Sequence, residues 1–534
     1  MTKLSGHRSE GGILAMVRTQ WWLAVIVLSG FAIRMINIGA PPLWGDEALT
    51  LVISDFSLRD LFIRPVDPTP GLYYAVHKSV LPFGHDPWVH RIPLLVFGTL
   101  TIPATFVLGR NVGGTRVGLF TAACSAFAFP LIDYSQEARA YSLLVLLTTL
   151  SAAGACGIFG REKTERAGWT GLFWTAGILS IYTHPVGWFW FVPAVATVLL
   201  IRVHTKECSF MRAVFIGLAT VLLVAPEARR LTQFAAVDAG GFDWNTQWSG
   251  AELFVRLGGL VLPSHLEPLG PVASPLMHFL FLLCLGALML LTYSFWKARV
   301  GQTVSFSTMV LLSILASLPI LLWTVGFLTT PVLLTRTMLP TIPAYFVLYG
   351  LLSRRLSLLG STFCVALFLA ESLFLLPIAH KDARSWPTVV TPLERQQDTD
   401  VLVICPENRG AAMLALRPDL SNFEKVLFVS DLGLVALQGP LTLDSFSEAV
   451  WKPLTPANRE VNVIRKKTIA IRSLVMVDIY CSSPKSRPWE RDMLGVVGID
   501  ADSNSHSRII GHTVSRYEWD APKALDYIVL GSKL

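Results

Sequence analysis

Two adjacent carboxylates, Asp46 and Glu47, stand where a long apolar segment, Trp21 to Ile38, gives way to the polar stretch Gly39-Ala-Pro-Pro-Leu-Trp-Gly-Asp-Glu-Ala48. Pro41 and Pro42 end a helix entering that stretch, because proline has no N–H to donate and disfavours a helical residue before it. A carboxylate at a membrane boundary is costly to desolvate unless it is paired or used. Asp46 is therefore read as a catalytic base at the lipid–water boundary. The plainer reading is a solvated helix start, with Asp46 as N-cap and Glu47 in the first turn. Beyond them, Ala48-Leu49-x-Leu51-Val52-Ile53-x-x-Phe56 has the spacing of an amphipathic helix lying along the surface.

Four further stretches hold groups suited to the same chemistry. Tyr134-Ser-Gln-Glu-Ala-Arg-Ala-Tyr141 places Gln136, Glu137 and Arg139 within one turn. Its competing reading is an interfacial helix start anchored by Tyr134 and Tyr141. His184, in Tyr182-Thr-His-Pro185, is either a substrate contact or an ordinary turn histidine. Arg336 stands alone between two apolar segments, where it would snorkel harmlessly or grip a phosphate with its planar fork. Asp67-Pro-Thr-Pro-Gly-Leu-Tyr-Tyr-Ala-Val-His77 is a rigid turn followed by Tyr73 and Tyr74, suited to a sugar or headgroup wall, or else a loop packed on the bilayer. The chain has no P-loop, no glycine-rich dinucleotide turn, no nucleophile elbow and no His/Cys metal cluster.

The elements that must position these residues are membrane helices. Of 534 residues, 52% are hydrophobic and 15% charged, where a soluble protein is about a quarter charged. Apolar runs predict about eleven spans, near 19–38, 93–109, 117–132, 142–159, 169–183, 186–201, 213–226, 275–295, 305–327, 338–352 and 357–378. Alternate loops carry Arg110 and Arg116, Arg161, Lys163 and Arg166, Arg202, Lys206 and Arg212, Lys297 and Arg299, and Arg354 and Arg355. Short basic loops stay in the cytoplasm, so all five candidate stretches fall together on the opposite, extracytoplasmic face. The net charge of +7 belongs to those loops and does not point to nucleic acid. The seven cysteines lack metal-like spacing, and Cys405 and Cys481 are the two in the polar tail that an oxidising compartment would allow to pair.

The expected organisation is a cytoplasmic tail at 1–18, an all-α polytopic membrane domain at 19–378 with its first outer loop at 39–92, and an extracytoplasmic domain at 379–534. The tail reads as a small α/β domain, with strands at 400–405, 425–430, 468–471 and 475–480 and a short helix at 410–416.

These residues resemble the GT-C superfamily of polytopic glycosyltransferases, in the branch of protein O-mannosyltransferases, the lipid A aminoarabinose transferase and the rhizobial core galacturonosyltransferases. The resemblance rests on Leu43-Trp-Gly-Asp-Glu-Ala48, Asp67-Pro-Thr-Pro-Gly-Leu-Tyr-Tyr74, His90-Arg-Ile-Pro93 leading to Leu108-Gly-Arg110, Tyr134 to Tyr141, Tyr182-Thr-His184, and Arg336 before Leu339-Pro340. It covers roughly residues 20–350. It implies inverting transfer of a sugar from a polyprenyl-phosphate donor to a hydroxyl of a lipid, glycan or protein acceptor, at the outer face of the inner membrane. It places the general base at Asp46, with Glu47 holding the acceptor or orienting the base. Relatives often read Pro-Pro-Leu-Tyr-Tyr where this chain has Pro70-Gly71-Leu72-Tyr-Tyr. Such transfer needs cations on the departing phosphate, for which Arg336 and Arg139 are the candidates and His184 a weaker one. No cofactor is assigned; a divalent metal, held by Asp46, Glu47 and Glu137, is the alternative to those cations. Two other classes compete: a transporter or flippase of lipid-linked sugars, which would place charges near the bilayer midplane, and a non-catalytic envelope-assembly protein.

Overall fold

The computed structural model describes residues 6–41, 43–63, 67–84, 86–160, 166–237, 247–262, 305–329 and 331–382, and six strands beyond them. In chain order the helices are α1 (Gly6–Met35), α2 (Gly45–Ser54), α3 (Leu58–Ile63), α4 (Gly71–Lys78), α5 (Pro87–Gly113), α6 (Thr115–Phe127), α7 (Phe129–Asp133), α8 (Tyr141–Ile158), α9 (Arg166–Ile181), α10 (Val186–His204), α11 (Phe210–Val237), α12 (Gly250–Val261), α13 (Phe306–Ala316), α14 (Leu318–Leu328), α15 (Ile342–Ser353) and α16 (Leu358–Asp382). Among the described residues six are long and apolar enough to cross a membrane, in α1, α5, α8, α10, α11 and α16. The count rises to eight if two bent pairs are each one span: α6 with α7, bent by 63°, and α13 with α14, bent by 49°. The described residues are thus mostly helical in the membrane part, and six to eight of the eleven expected spans meet that length and hydropathy among them. The expected span at 275–295 lies outside the described residues.

Burial sorts these helices. In α8, 94% of the span is buried, against 11% in α1 and 22% in each of α11 and α16. A helix apolar on every side is at home in a membrane core, so α8 is central and the other three present most of their surface outward. Polar groups stitch α8 to its neighbours: Ser151 donates to the Phe173 carbonyl at 3.2 Å and accepts from Trp190 Nε1 at 3.2 Å.

The expected third span is broken because Ala128 is extended and Pro130 follows. Pro130 has no N–H for the Ala126 carbonyl. Arg34, fully buried near the end of α1, fills the gap: it donates to Ala126 O at 2.7 Å, Ser125 O at 3.0 Å and Gly30 O at 2.9 Å. Its role is to cap a broken helix.

Three expectations are corrected by packing. The segment expected as the first outer loop, 39–92, is largely helical, carrying α2, α3 and α4. The helix after Glu47 does not lie on a surface: Ala48 through Ser54 are all buried. The seventh span does not stop at Pro226, since α11 runs on to Val237 and carries Glu227 and Arg230 on the helix. A proline is tolerated within a membrane helix when neighbours re-satisfy the freed backbone groups.

In the tail, β1 (Val401–Cys405), β2 (Lys425–Ser430), β3 (Gly433–Leu437), β4 (Val463–Asp478), β5 (Ser505–Gly511) and β6 (Val514–Leu530) form one sheet in the order β3-β2-β1-β4-β6-β5. β1 pairs parallel with β2 and β4, whereas β2–β3, β4–β6 and β5–β6 are antiparallel. β3 also pairs with β6. The two strands expected between 468 and 480 are one strand with register shifts at 463/465 and 471/473. The expected helix at 410–416 and Cys481 lie outside the described residues.

Candidate active site

The sequence around the carboxylate pair folds into α2 with Trp44, extended at φ −96° and ψ 173°, as its N-cap. Asp46, the N-cap of the plainer reading, is therefore the second residue of the helix. Glu47 turns back and accepts the Trp44 N–H at 3.2 Å. Its carboxylate also takes a two-pronged grip from Arg91 of α5, Nε to Oε1 at 2.8 Å and Nη2 to Oε2 at 2.7 Å, and accepts the Ala138 N–H at 2.8 Å. Arg91 extends this knot by donating to the carbonyls of Ile38 and Pro41, each at 2.8 Å. Glu47 thus binds together the exit from α1, the start of α2, α5 and the 137–139 segment.

Asp46 points to the other side. Its Oδ2 lies 3.5 Å from Nη1 of Arg336, which comes from the 3₁₀ turn Thr335–Thr341. Arg139 Nη1 stands 3.4 Å from the Asp46 carbonyl, 3.4 Å from Thr50 Oγ1 and 3.7 Å from Asp67 Oδ2. The Arg336 guanidinium also sits 5.8 Å over the ring of Tyr141, whose centroid is 5.6 Å from Tyr134 and 5.4 Å from His184. Glu137 is buried and close enough for its charge to act on Arg336. Asp46, Glu137, Arg139, Arg336, Tyr134 and His184 therefore gather in one place, from four separate stretches of sequence. Of the ion-paired side chains gathered here, Arg336 is 21% exposed, against 10% for Arg139 and 4% for Asp46, so it is the one most open to a ligand.

Other predicted residues do different work. Gln136 donates to the Arg34 and Ile36 carbonyls at 2.9 and 2.8 Å, closing the end of α1. Gly98 of α5 makes room for that segment: a Cβ there would lie 2.5 Å from Ser135 Cβ. Tyr73 and Tyr74 are buried and form no open wall; burial holds both phenols above their ordinary value. Tyr74 OH donates to Asp67 Oδ2 at 2.8 Å. Gly71 has a packing reason as well: a Cβ there would stand 2.3 Å from the Leu61 carbonyl oxygen. His184 does not serve as a third cation. Burial, with the nearby charges of Arg139 and Arg336, lowers its pKa to about 3, and its Nδ1 accepts the Val186 N–H at 3.2 Å.

A metal held by Asp46, Glu47 and Glu137 does not fit, because Arg91 and the Ala138 N–H occupy Glu47. Among the described residues no group of three or more His, Cys, Asp or Glu could hold a metal ion. Sequence reasoning missed Arg91, which stood in its His90-Arg-Ile-Pro93 motif without a role, and Asp67, whose side chain joins Tyr74 to Arg139. It also missed Arg230, which lies beyond the expected end of the seventh span at 226.

This architecture has solved counterparts. ArnT from Cupriavidus metallidurans in the apo state matches with a TM-score of 0.53 and 14% identity, over 93% of this chain and 98% of that one. The chain shares the fold of ArnT. The match repeats with the same ArnT bound to undecaprenyl phosphate, at a TM-score of 0.52 and 12% identity over 93% and 97%. Archaeal oligosaccharyltransferase AglB from Archaeoglobus fulgidus overlaps at a TM-score of 0.45 and 12% identity, over 86% and 69%. No family model and no curated sequence matches the chain.

Proposed function

We propose that this chain is an inverting glycosyltransferase that moves a sugar from a polyprenyl-phosphate donor to a hydroxyl of a lipid, glycan or protein acceptor. The observation that carries the proposal is the pairing of Asp46 with Arg336 at 3.5 Å, a base beside a cation across 290 residues of sequence. Such a reaction needs both within a few ångströms. The acceptor hydroxyl gives its proton to Asp46. Its oxygen bonds to the anomeric carbon from the face opposite the phosphate. The bond from that carbon to phosphate oxygen breaks, and its electron pair leaves on the polyprenyl phosphate. Arg336, with Arg139 behind it, meets the growing negative charge. Glu47 orients the base by fixing the first turn of α2 through Arg91.

The lipid-phosphate donor draws support from the ArnT structure that holds undecaprenyl phosphate. The basic loops support an arrangement in the inner membrane with residues 1–18 in the cytoplasm, and with the site and the domain at 379–534 outside. Bent helices are a feature of transporters, but here the α6–α7 bend is occupied by Arg34 donating to backbone. The test is full-length protein in vesicles, supplied with a panel of polyprenyl-phosphate sugars and envelope acceptors. Transfer with inversion at the anomeric carbon is expected. Retention, or no transfer from any donor that the vesicles hold, overturns the assignment.

A further inference from the structure

Arg230 and Glu227 form a buried ion pair on α11, a helix that otherwise presents most of its surface outward. Each side chain is only 3% exposed. Arg230 Nε lies 3.0 and 2.9 Å from the two Glu227 oxygens, and Nη2 lies 2.8 Å from Oε1. Its remaining reach is spent on a single loop: Nη1 donates to the Asp67 carbonyl at 2.7 Å and Nη2 to the Pro68 carbonyl at 2.9 Å. Burying two charges is costly, and a well-packed apolar pair of the same volume often folds as well. The pair is therefore better explained by what it holds.

It holds the segment Asp67-Pro-Thr-Pro70, in which two of four residues have no N–H. Such a loop has few backbone donors with which to fix itself. Thr69 N–H turns back to Asp67 Oδ1 at 2.8 Å, and beyond the loop Leu72 N–H reaches the Tyr182 carbonyl at 3.2 Å. The carbonyls of Asp67 and Pro68 are taken by Arg230. The other oxygen of Asp67, Oδ2, receives the Tyr74 hydroxyl and stands 3.7 Å from Arg139 Nη1, the same nitrogen that lies against Asp46 and Thr50.

We infer that Arg230, charge-balanced by Glu227, is a positioning residue for the donor-phosphate side of the site, acting through the backbone of Asp67 and the carboxylate of Asp67 on the Arg139 guanidinium. The inference rests on the proposed function in one respect only, that Arg139 helps to hold a lipid phosphate. Arg230 touches no reacting atom; its fork has the shape to hold two adjacent carbonyls at once, which a lysine ammonium lacks.

The experiment uses the full chain in vesicles, with undecaprenyl phosphate as the binding probe and Arg230→Lys, Asp67→Asn and the double variant compared with wild type. Arg230→Lys keeps the charge beside Glu227, so the pair and the fold persist. It is expected to weaken undecaprenyl phosphate binding about tenfold, the effect of misplacing one charged hydrogen-bonding group, and to raise donor KM while leaving acceptor KM unchanged. The double variant is expected to bind no more weakly than Asp67→Asn alone, because both changes act on the same contact. A loss of thermal stability with unchanged lipid-phosphate binding overturns the inference and leaves the reading of the site intact. Additive losses in the double variant overturn it likewise. A wild-type chain that binds no undecaprenyl phosphate overturns the donor-phosphate reading and this inference together.

Discussion

Glu47→Gln is expected to unfold the protein far more readily than Asp46→Asn, although the two carboxylates are neighbours. Glu47 is fully buried and accepts the Arg91 fork at 2.7 and 2.8 Å, together with the backbone N–H groups of Ala138 and Trp44. An amide in its place offers one acceptor oxygen and turns an NH₂ donor toward donors. The Arg91 charge, itself buried, then lacks its counter-ion. Breaking one side of such a pair costs about 3–5 kcal/mol. Asp46 meets Arg336 at 3.5 Å with the guanidinium 21% exposed, and a partly solvated pair at that distance contributes about 1 kcal/mol or less. The assay is denaturant unfolding in detergent micelles, comparing transition midpoints at constant slope. The expected order is wild type close to Asp46→Asn, with Glu47→Gln well below both. Equal midpoints for Glu47→Gln and wild type would refute the positioning role given to Glu47.

Three further outcomes follow from the same geometry. Gly71→Ala forces a Cβ to 2.3 Å from the Leu61 carbonyl, so overpacking is expected to cost roughly 1–3 kcal/mol; an unchanged unfolding midpoint would show that the α3–α4 junction gives way freely. His184, held at a pKa of about 3 when folded, is neutral in the folded chain and takes a proton below its ordinary value of 6.5 when unfolded. Its contribution is thus full above pH 6.5 and is lost as pH falls toward 3, by about 2 kcal/mol between pH 7 and pH 5. Unfolding curves for His184→Gln should lose that share of the acid slope, and parallel curves would contradict it; His77, also lowered to about 3 by burial and the adjacent His90, accounts for a separate share. Arg336→Ala is expected to lower kcat/KM for the donor by about ten- to a hundredfold while sparing acceptor KM, and unchanged donor kinetics would remove Arg336 from the phosphate.

Much of the site was legible because loop charge assigns all the candidate stretches to one expected face. Asp46, Glu137, Arg139 and Arg336 were each singled out from residue type and position, and they meet. The partners that hold them were not legible. Arg91 lies 44 residues from Glu47 and 53 from the Ile38 carbonyl it binds, and no periodicity links such distances. Arg230 was hidden by Pro226, which reads as a helix end in isolation and is carried through in a packed membrane helix. Helix α2 misled for a related reason: an apolar stripe with polar gaps suggests a surface helix, yet Thr50 and Ser54 are buried, Thr50 donating to the Asp46 carbonyl and Ser54 meeting His77. At Ala128 and Pro130 hydropathy reads as continuous a helix that is in fact bent, because a break of one or two residues barely changes the apolar average.

The central claim is that Asp46 removes the proton from the acceptor, and the most direct measurement is the single-turnover transfer rate of Asp46→Asn in vesicles holding saturating donor and acceptor. A positioned base contributes about a hundred- to ten-thousandfold. The account predicts a loss of that size in a variant whose unfolding midpoint and undecaprenyl phosphate binding match wild type, and a transfer rate within severalfold of wild type would contradict it.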